Sequence, residues 1–291
     1  MKTSIENRCL WYDNNVFIQK EGSNLMIPLK DKTYVMGILN VTPDSFSDGG
    51  QYNEIDTAVK QAQQMVAEGA HIIDVGGEST RPDHKPVSEQ EEIERVVPVI
   101  KALVEKIDVP ISIDTYKAKT AEAAVKAGAS IINDIWGAKK EPQIASIAAQ
   151  YNVPIILMHN RENKEYNHLI NDMIVDLEES IHIAQEHGVK EDMIWIDPGI
   201  GFAKTLEDNY LVMQQLDTII EKLPYPLLLG TSRKSFITKV LQLEASERDN
   251  ATGATTVFGL MKGARIVRVH DVKRTVELVK MTEAMMKGRV H

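Results

Sequence analysis

From Tyr34 onward, short apolar runs alternate with longer stretches in which apolar residues return every three or four positions. The runs are Tyr34–Leu39, His71–Val75, Ile111–Ile113, Ile131–Ile132, Pro154–Met158, Ile194–Ile196, Pro226–Leu229 and Ile266–Val269. They have strand length and composition but little polar alternation, as expected of parallel strands covered on both faces. Between them, Ile55, Ala58, Val59, Ala62, Met65 and Val66 recur at helical spacing, and so do Ile93, Val96, Val97, Ile100, Leu103 and Val104. Pro98 interrupts the second pattern, so a kink or a late helix start is expected there. Gly69, Gly128 and Gly188 fall where helices would end.

Eight strand–helix pairs in one chain predict an α/β fold, a closed (β/α)8 TIM barrel. The alternative is an open doubly wound sheet, but no G-x-G-x-x-G follows the first strand. Residues 1–33 read as a short N-terminal β-hairpin packed on the bottom of the barrel, and residues 34–291 as the barrel domain. The length of 291 residues fits one such barrel, and 43% hydrophobic content is ample for its core.

Composition narrows the function classes. No apolar stretch approaches a membrane span, and the first ten residues have no apolar core of a secretory signal. Cys9 is alone, which excludes an internal disulfide and points to a reducing cytoplasm. A net charge of −9 argues against nucleic acid or an anionic membrane as partner. An anionic small substrate must then be held by a local cluster rather than by the overall field.

Each run finishes on a polar or charged residue. In order these are Asn40, Asp74, Asp114, Asn133, His159, Asp197, Thr231 with Lys234 beyond it, and Arg268 with His270. In a barrel, the carboxyl ends of the strands form the active-site rim. Asp114 and Asp197 could equally be helix N-caps, and Asp74 is given that plainer reading. His159 reads as a hydrogen-bonded rim residue. Arg268 sits inside an apolar run, on the same side as His270, and needs an anion or an acidic partner.

The loops add consistent chemistry. Asn40–Gly50 carries two acids and Phe46 between Pro and Gly residues, and Gly76–Pro82 offers hydroxyls and the planar cation of Arg81. Asp197–Phe202 supplies a carboxylate, glycine N–H groups and an aromatic plane. Gly230–Ser235 places Thr231, Ser232 and Ser235 before a helix start, either as an anion site or as simple caps. No Cys/His metal spacing, G-x-S-x-G or phosphate-binding G-x-x-x-x-G-K-[ST] is present.

Together, Asn40–Gly50, Gly76–Pro82, Ile113-Asp114-Thr115, Asn133-Asp134, Asp197–Phe202, Ser232-Arg233-Lys234 and Arg268-Val269-His270-Asp271 resemble the dihydropteroate synthase family. Order and spacing match from about Tyr34 to the C-terminus. One local departure is Asp83, where members commonly carry Gly after the Arg-Pro of the second loop.

The resemblance implies a pterin-binding barrel transferase of folate synthesis, usually a homodimer and a sulfonamide target. Its reaction joins 6-hydroxymethyl-7,8-dihydropterin diphosphate to 4-aminobenzoate and releases diphosphate, with Mg²⁺ bound. It implies that Asp114, Asn133, Asp197 and Lys234 hold the pterin, while Arg268, Val269, His270 and Thr80 complete the site for its diphosphate form. Phe46, Thr80, Arg81, Pro82, Phe202 and Ser235 would form the aminobenzoate pocket, and Asn40 would bind the metal. Asp114, Lys234, Arg268 and His270 would act in the chemical step. The alternative is a methyltetrahydrofolate-binding barrel serving a corrinoid methyl transfer. Such a barrel has no use for Asn40, Arg268 and His270 acting together on a diphosphate. A phosphosugar aldolase is weaker still, since no strand ends in the Schiff-base lysine it would need.

Overall fold

The structure is a computed structural model and describes residues 15–20, 23–28, 32–41, 51–78 and 86–287. It opens with an antiparallel hairpin of β1 (Asn15–Lys20) and β2 (Ser23–Pro28), with Asn15 opposite Pro28. The eight apolar runs then form β3 (Tyr34–Asn40), β4 (Ile72–Gly76), β5 (Ile111–Asp114), β6 (Ile131–Asp134), β7 (Ile155–Met158), β8 (Ile194–Asp197), β9 (Leu228–Leu229) and β10 (Ile266–Val269). All pair in parallel, in the order β8-β7-β6-β5-β4-β3-β10-β9. A parallel bridge between Ile196 and Leu227 joins the two outer strands, so the sheet closes and the open-sheet alternative falls away.

Helices fill the connections: α1 (Gln51–Ala67), α2 (Glu89–Val104), α3 (Ala118–Ala127), α4 (Gln143–Tyr151) and α5 (Leu169–Glu186) each follow one strand. After β8 come α6 (Leu206–Gln214) and α7 (Leu216–Lys222), after β9 come α8 (Ser235–Leu241) and α9 (Asp249–Met261), and α10 (Val272–Lys287) ends the barrel. None is long and apolar enough to cross a membrane, among the described residues.

The core lies between the strands and this outer ring. Ala58, Ala62 and Met65 of α1 and Val96, Ile100 and Leu103 of α2 are buried against strands whose residues are themselves covered on both faces. Each fully buried Val, Leu or Ile contributes about 1.5–3 kcal/mol, which makes this layer the main source of cohesion. The helix over the Pro98 pattern does not start late. It begins at Glu89, where the Ser88 hydroxyl accepts from the Glu91 N–H, and continues through Pro98 to Val104. The cap and three early carboxylates, Glu89, Glu91 and Glu92, favour that start, and the proline removes only one internal hydrogen bond. Gly69, Gly128 and Gly188 all have positive φ and stand just past α1, α3 and α5, as helix-closing residues should.

Alternation along each strand sends one set of side chains into the barrel and the other toward the helices. On β10 Arg268 takes the inner side, whereas Val269 joins the core under the helices.

Candidate active site

Arg268 stands on β10, yet its guanidinium reaches β4 and β5. Nε donates to Asp74 Oδ2 at 2.6 Å and Nη2 donates to Asp114 Oδ2 at 2.6 Å. Since β3 lies between β10 and β4, only the barrel interior allows this meeting. Asp74 also accepts from Asn133 Nδ2 at 3.2 Å, so four strands share one buried polar cluster. Burial pushes the Asp114 carboxyl up to about 7; Arg268 opposes the rise and the charge of Asp74 adds to it. The two carboxylates outweigh burial at Arg268 and hold its pKa above the ordinary guanidinium range.

Two rim glycines show what else converges here. A Cβ on Gly76 would lie 3.6 Å from Asn40 Oδ1 and 3.8 Å from Asp114 Oδ2, so these two oxygens flank one bare stretch of backbone. A Cβ on Gly230 would lie 3.7 Å from Asp197 Oδ2 and 3.8 Å from Lys234 Nζ. Asp197 is buried at the end of β8, and its Oδ1 accepts from the Gly199 N–H at 2.7 Å. Burial raises its pKa, against the pull of Lys234, the Gly199 N–H, Lys204 and Arg268. Lys234 donates to the Ile200 carbonyl and lies 4.6 Å from the centre of the Phe202 ring. Burial brings its ammonium down to about 8, with Asp197 resisting. Ser232 Oγ accepts from the His270 N–H at 3.1 Å and lies 2.9 Å from His270 Nδ1, tying the loop after β9 to the end of β10.

The arrangement therefore offers a carboxylate and an ammonium side by side, then an amide, then a guanidinium flanked by carboxylates. That suits a flat heterocycle with a donor–acceptor edge and an anionic arm. The family model for pterin binding enzymes matches residues 36–270. A dihydropteroate synthase of Bacillus subtilis is 60% identical over 263 residues, covering 90% of this chain and 92% of that protein. The chain belongs to the dihydropteroate synthase family. Among solved structures, the Clostridium difficile synthase in the presence of pteroic acid has a TM-score of 0.85 at 49% identity, covering 87% of this chain and 97% of that one. The Xanthomonas albilineans synthase with 4-aminobenzoic acid has a TM-score of 0.87 at 37% identity, with coverages of 94% and 98%. The barrel and the enzyme class expected from the sequence, a pterin-binding transferase, both hold.

For a member of this family, several individual readings need adjustment. Asp74 is not a helix cap: it lies within β4, fully buried, while α2 is capped by Ser88. Its signal was present in the sequence, an acid inside an apolar run just like Arg268. Asp114 and Asp197 do not cap helices either, because α3 starts after Lys117 and α6 after Thr205. The Val269 side chain is 1% exposed and packed in the outer core, so only its main chain could meet a ligand. The Thr231 and Ser232 hydroxyls do not cap α8. Thr231 Oγ1 accepts from Thr255 Oγ1, Ser232 engages His270, and the cap position is Lys234, which makes no side-chain capping bond. Ser235 is exposed on the first turn of α8. Phe46, Thr80, Arg81 and Pro82 lie outside the described residues.

His159 is a hydrogen-bonded rim residue, as read: Nε2 lies 2.9 Å from Asp176 Oδ2. Burial lowers its pKa to about 4, so the ring is neutral near pH 7 and Nε2 carries the proton. Its other nitrogen meets Lys204, a buried lysine that sequence reasoning passed over.

If Asp74 and Asp114 compete for one guanidinium, removing one charge should relax the other. In a carbon-13 titration of the carboxyls, Asp114 should show a midpoint near 7 in the ligand-free protein. Asp74→Asn should lower that midpoint. An Asp114 midpoint below pH 5 in the unmodified protein would contradict this electrostatic picture.

Proposed function

We propose that this chain joins 6-hydroxymethyl-7,8-dihydropterin diphosphate to 4-aminobenzoate, giving 7,8-dihydropteroate and diphosphate. The observation that carries the reading is the placement of Asp197 and Lys234 together beside Gly230, next to the Arg268–Asp114–Asn40 corner. The pyrimidine edge of a pterin presents adjacent N–H donors beside a carbonyl oxygen. Asp197 accepts from the donors; one of its oxygens already takes the Gly199 N–H but retains a second lone pair. Lys234 turns from the Ile200 carbonyl to the pterin oxygen, and Asn133 reads the ring from the end of β6. Asp114 lies along the dihydropyrazine side.

The chemical step is best described as departure first. The bond between the exocyclic methylene and the diphosphate oxygen breaks, its electron pair leaving with diphosphate. Electron release from the dihydropterin ring carries the positive charge on that carbon. Arg268 and His270 steady the leaving anion, and Asp114 offers negative charge to the cation. The amine lone pair of 4-aminobenzoate then forms the C–N bond, and the nitrogen gives up one proton to solvent. An aromatic amine is already neutral near pH 7, so its attack needs no strong general base. The first loop (Phe46) and the second (Thr80, Arg81, Pro82), with Phe202 and Ser235, would form the aminobenzoate pocket. Sulfonamides fit the same pocket by their likeness to aminobenzoate, and a Yersinia pestis synthase has been solved in a sulfonamide drug complex.

Among the described residues, no group of three or more His, Cys, Asp or Glu side chains could hold a metal. A single amide oxygen does suit Mg²⁺, which keeps several waters and takes its remaining ligands from phosphates. When bound through Asn40 and the diphosphate oxygens, Mg²⁺ would add positive charge to the leaving group.

We further propose a homodimer that works in the cytoplasm. Phe258 and Met261 of α9 and Met281 and Met285 of α10 are exposed, and Val257, Phe258, Met261 and Leu278 line one apolar groove. Covering such a face with a second copy removes it from water.

Both substrates with Mg²⁺ should yield dihydropteroate and diphosphate, and chelation of the metal should suppress the yield. A folded protein that gives neither product would overturn the assignment. Arg268→Lys, which keeps a cation but loses the two-armed geometry, should slow turnover by about a hundredfold or more while leaving pterin affinity largely intact. An equal loss of affinity and rate would contradict the role given to Arg268. Light scattering should report twice the 32.6 kDa chain mass, shifting toward one chain mass in Met261→Glu. A single-chain mass at every concentration would rule the dimer out.

A further inference from the structure

Lys204 is 4% exposed, seven residues beyond Asp197. Its ammonium donates to Gly199 O at 3.0 Å and to Phe202 O at 3.1 Å, and meets His159 Nδ1 at 2.9 Å. His159 is neutral with its proton on Nε2, so Nδ1 accepts here. All three ammonium hydrogens are thus used, and none goes to a carboxylate. Burying a cation is costly, and a methionine would fill this space with less penalty. The charge itself therefore needs a beneficiary.

Asp197 is the group in position to benefit. The residue whose N–H grips Asp197 Oδ1 is Gly199, and its carbonyl is one of the two held by Lys204. The same turn is pressed against the end of β7. Gly199 has φ +66°, a Cβ there would lie 2.0 Å from the His159 carbonyl oxygen, and the His159 N–H donates to Asp197 O at 2.8 Å. Lys234 takes the Ile200 carbonyl of the same turn. The Asp197–Phe202 turn is therefore wound around two ammonium groups, one of which faces the proposed pterin site.

We infer that Lys204 is a positioning residue for pterin recognition. It clamps the Asp197–Phe202 turn so that Gly199 fixes Asp197 Oδ1 and leaves the carboxylate's remaining lone pairs for the ligand, and it keeps that carboxylate ionised from behind. This rests on the reading of Asp197 as the pterin's partner. The charged and titratable groups around Lys204 are Asp197 on β8, Lys234 before α8, Asp208 on α6, Asp176 on α5 and neutral His159 after β7. Burial draws the Lys204 ammonium down to about 7, against the pull of Asp197 and with Lys234 adding to the fall. The support is therefore present below neutral pH and fades above it.

The test is calorimetric titration of Lys204→Met and Lys204→Gln with 6-hydroxymethyl-7,8-dihydropterin diphosphate and Mg²⁺, at several values between about pH 6 and 9. Both variants should bind about tenfold or more weakly near pH 6, and the gap should narrow to a few-fold above about pH 8. The inference is overturned by folded variants that bind within twofold of wild type, or by a loss that does not vary with pH. Asp197→Asn, measured alongside, separates the two levels. If it leaves affinity intact, the site reading fails; if it weakens binding while the Lys204 variants do not, only the role of Lys204 fails.

Discussion

A guanidinium inside the barrel, tied to one carboxylate on β4 and another on β5, is the constraint on which the site depends. Barrel interiors are ordinarily filled by layers of branched apolar side chains. Here the layer nearest the rim is polar. Leaving any member unpaired would cost about 3–5 kcal/mol, so the three must assemble together. Their mutual need holds the ends of β10, β4 and β5 in register and brings Asn133 along through Asp74. Around this fixed corner, bare backbone at Gly76 and Gly230 leaves room for a ligand.

Two aspartates at the rim illustrate how surroundings divide similar groups between tasks. Asp114 pairs directly with Arg268 but shares it with Asp74, and burial raises its pKa to about 7. Among the described residues Asp197 has no direct ion pair. It is gripped by one N–H and sits in the field of two ammonium groups that organise the turn around it. The first environment suits a charge that responds to a developing cation, and the second suits a fixed reader of donor groups.

Much of the fold was legible because its strands are short runs of Ile, Val and Leu, and eight of them with helices between leave few architectures open. Closure itself rests on the Ile196–Leu227 bridge, which no local pattern announces. Arg268 could be found because a cation inside an apolar run demands a partner. Asp74 carried the same signal, but an acid near a strand end looks in sequence like a helix cap, and its partner lies 194 residues away. Lys204 gave no signal, since a lysine in a polar loop normally points to water and only the packing of the turn reveals it as buried. Val269 was carried along by its neighbours in the motif, although alternation along β10 puts its side chain on the face opposite Arg268.

The most direct test of the central claim is a crystal structure of the chain with 6-hydroxymethyl-7,8-dihydropterin diphosphate and Mg²⁺. The pyrimidine edge should lie against Asp197 and Lys234, with the diphosphate at the corner of Asn40, Arg268 and His270. A pterin seated away from Asp197, or a diphosphate pointing away from that corner, would contradict it.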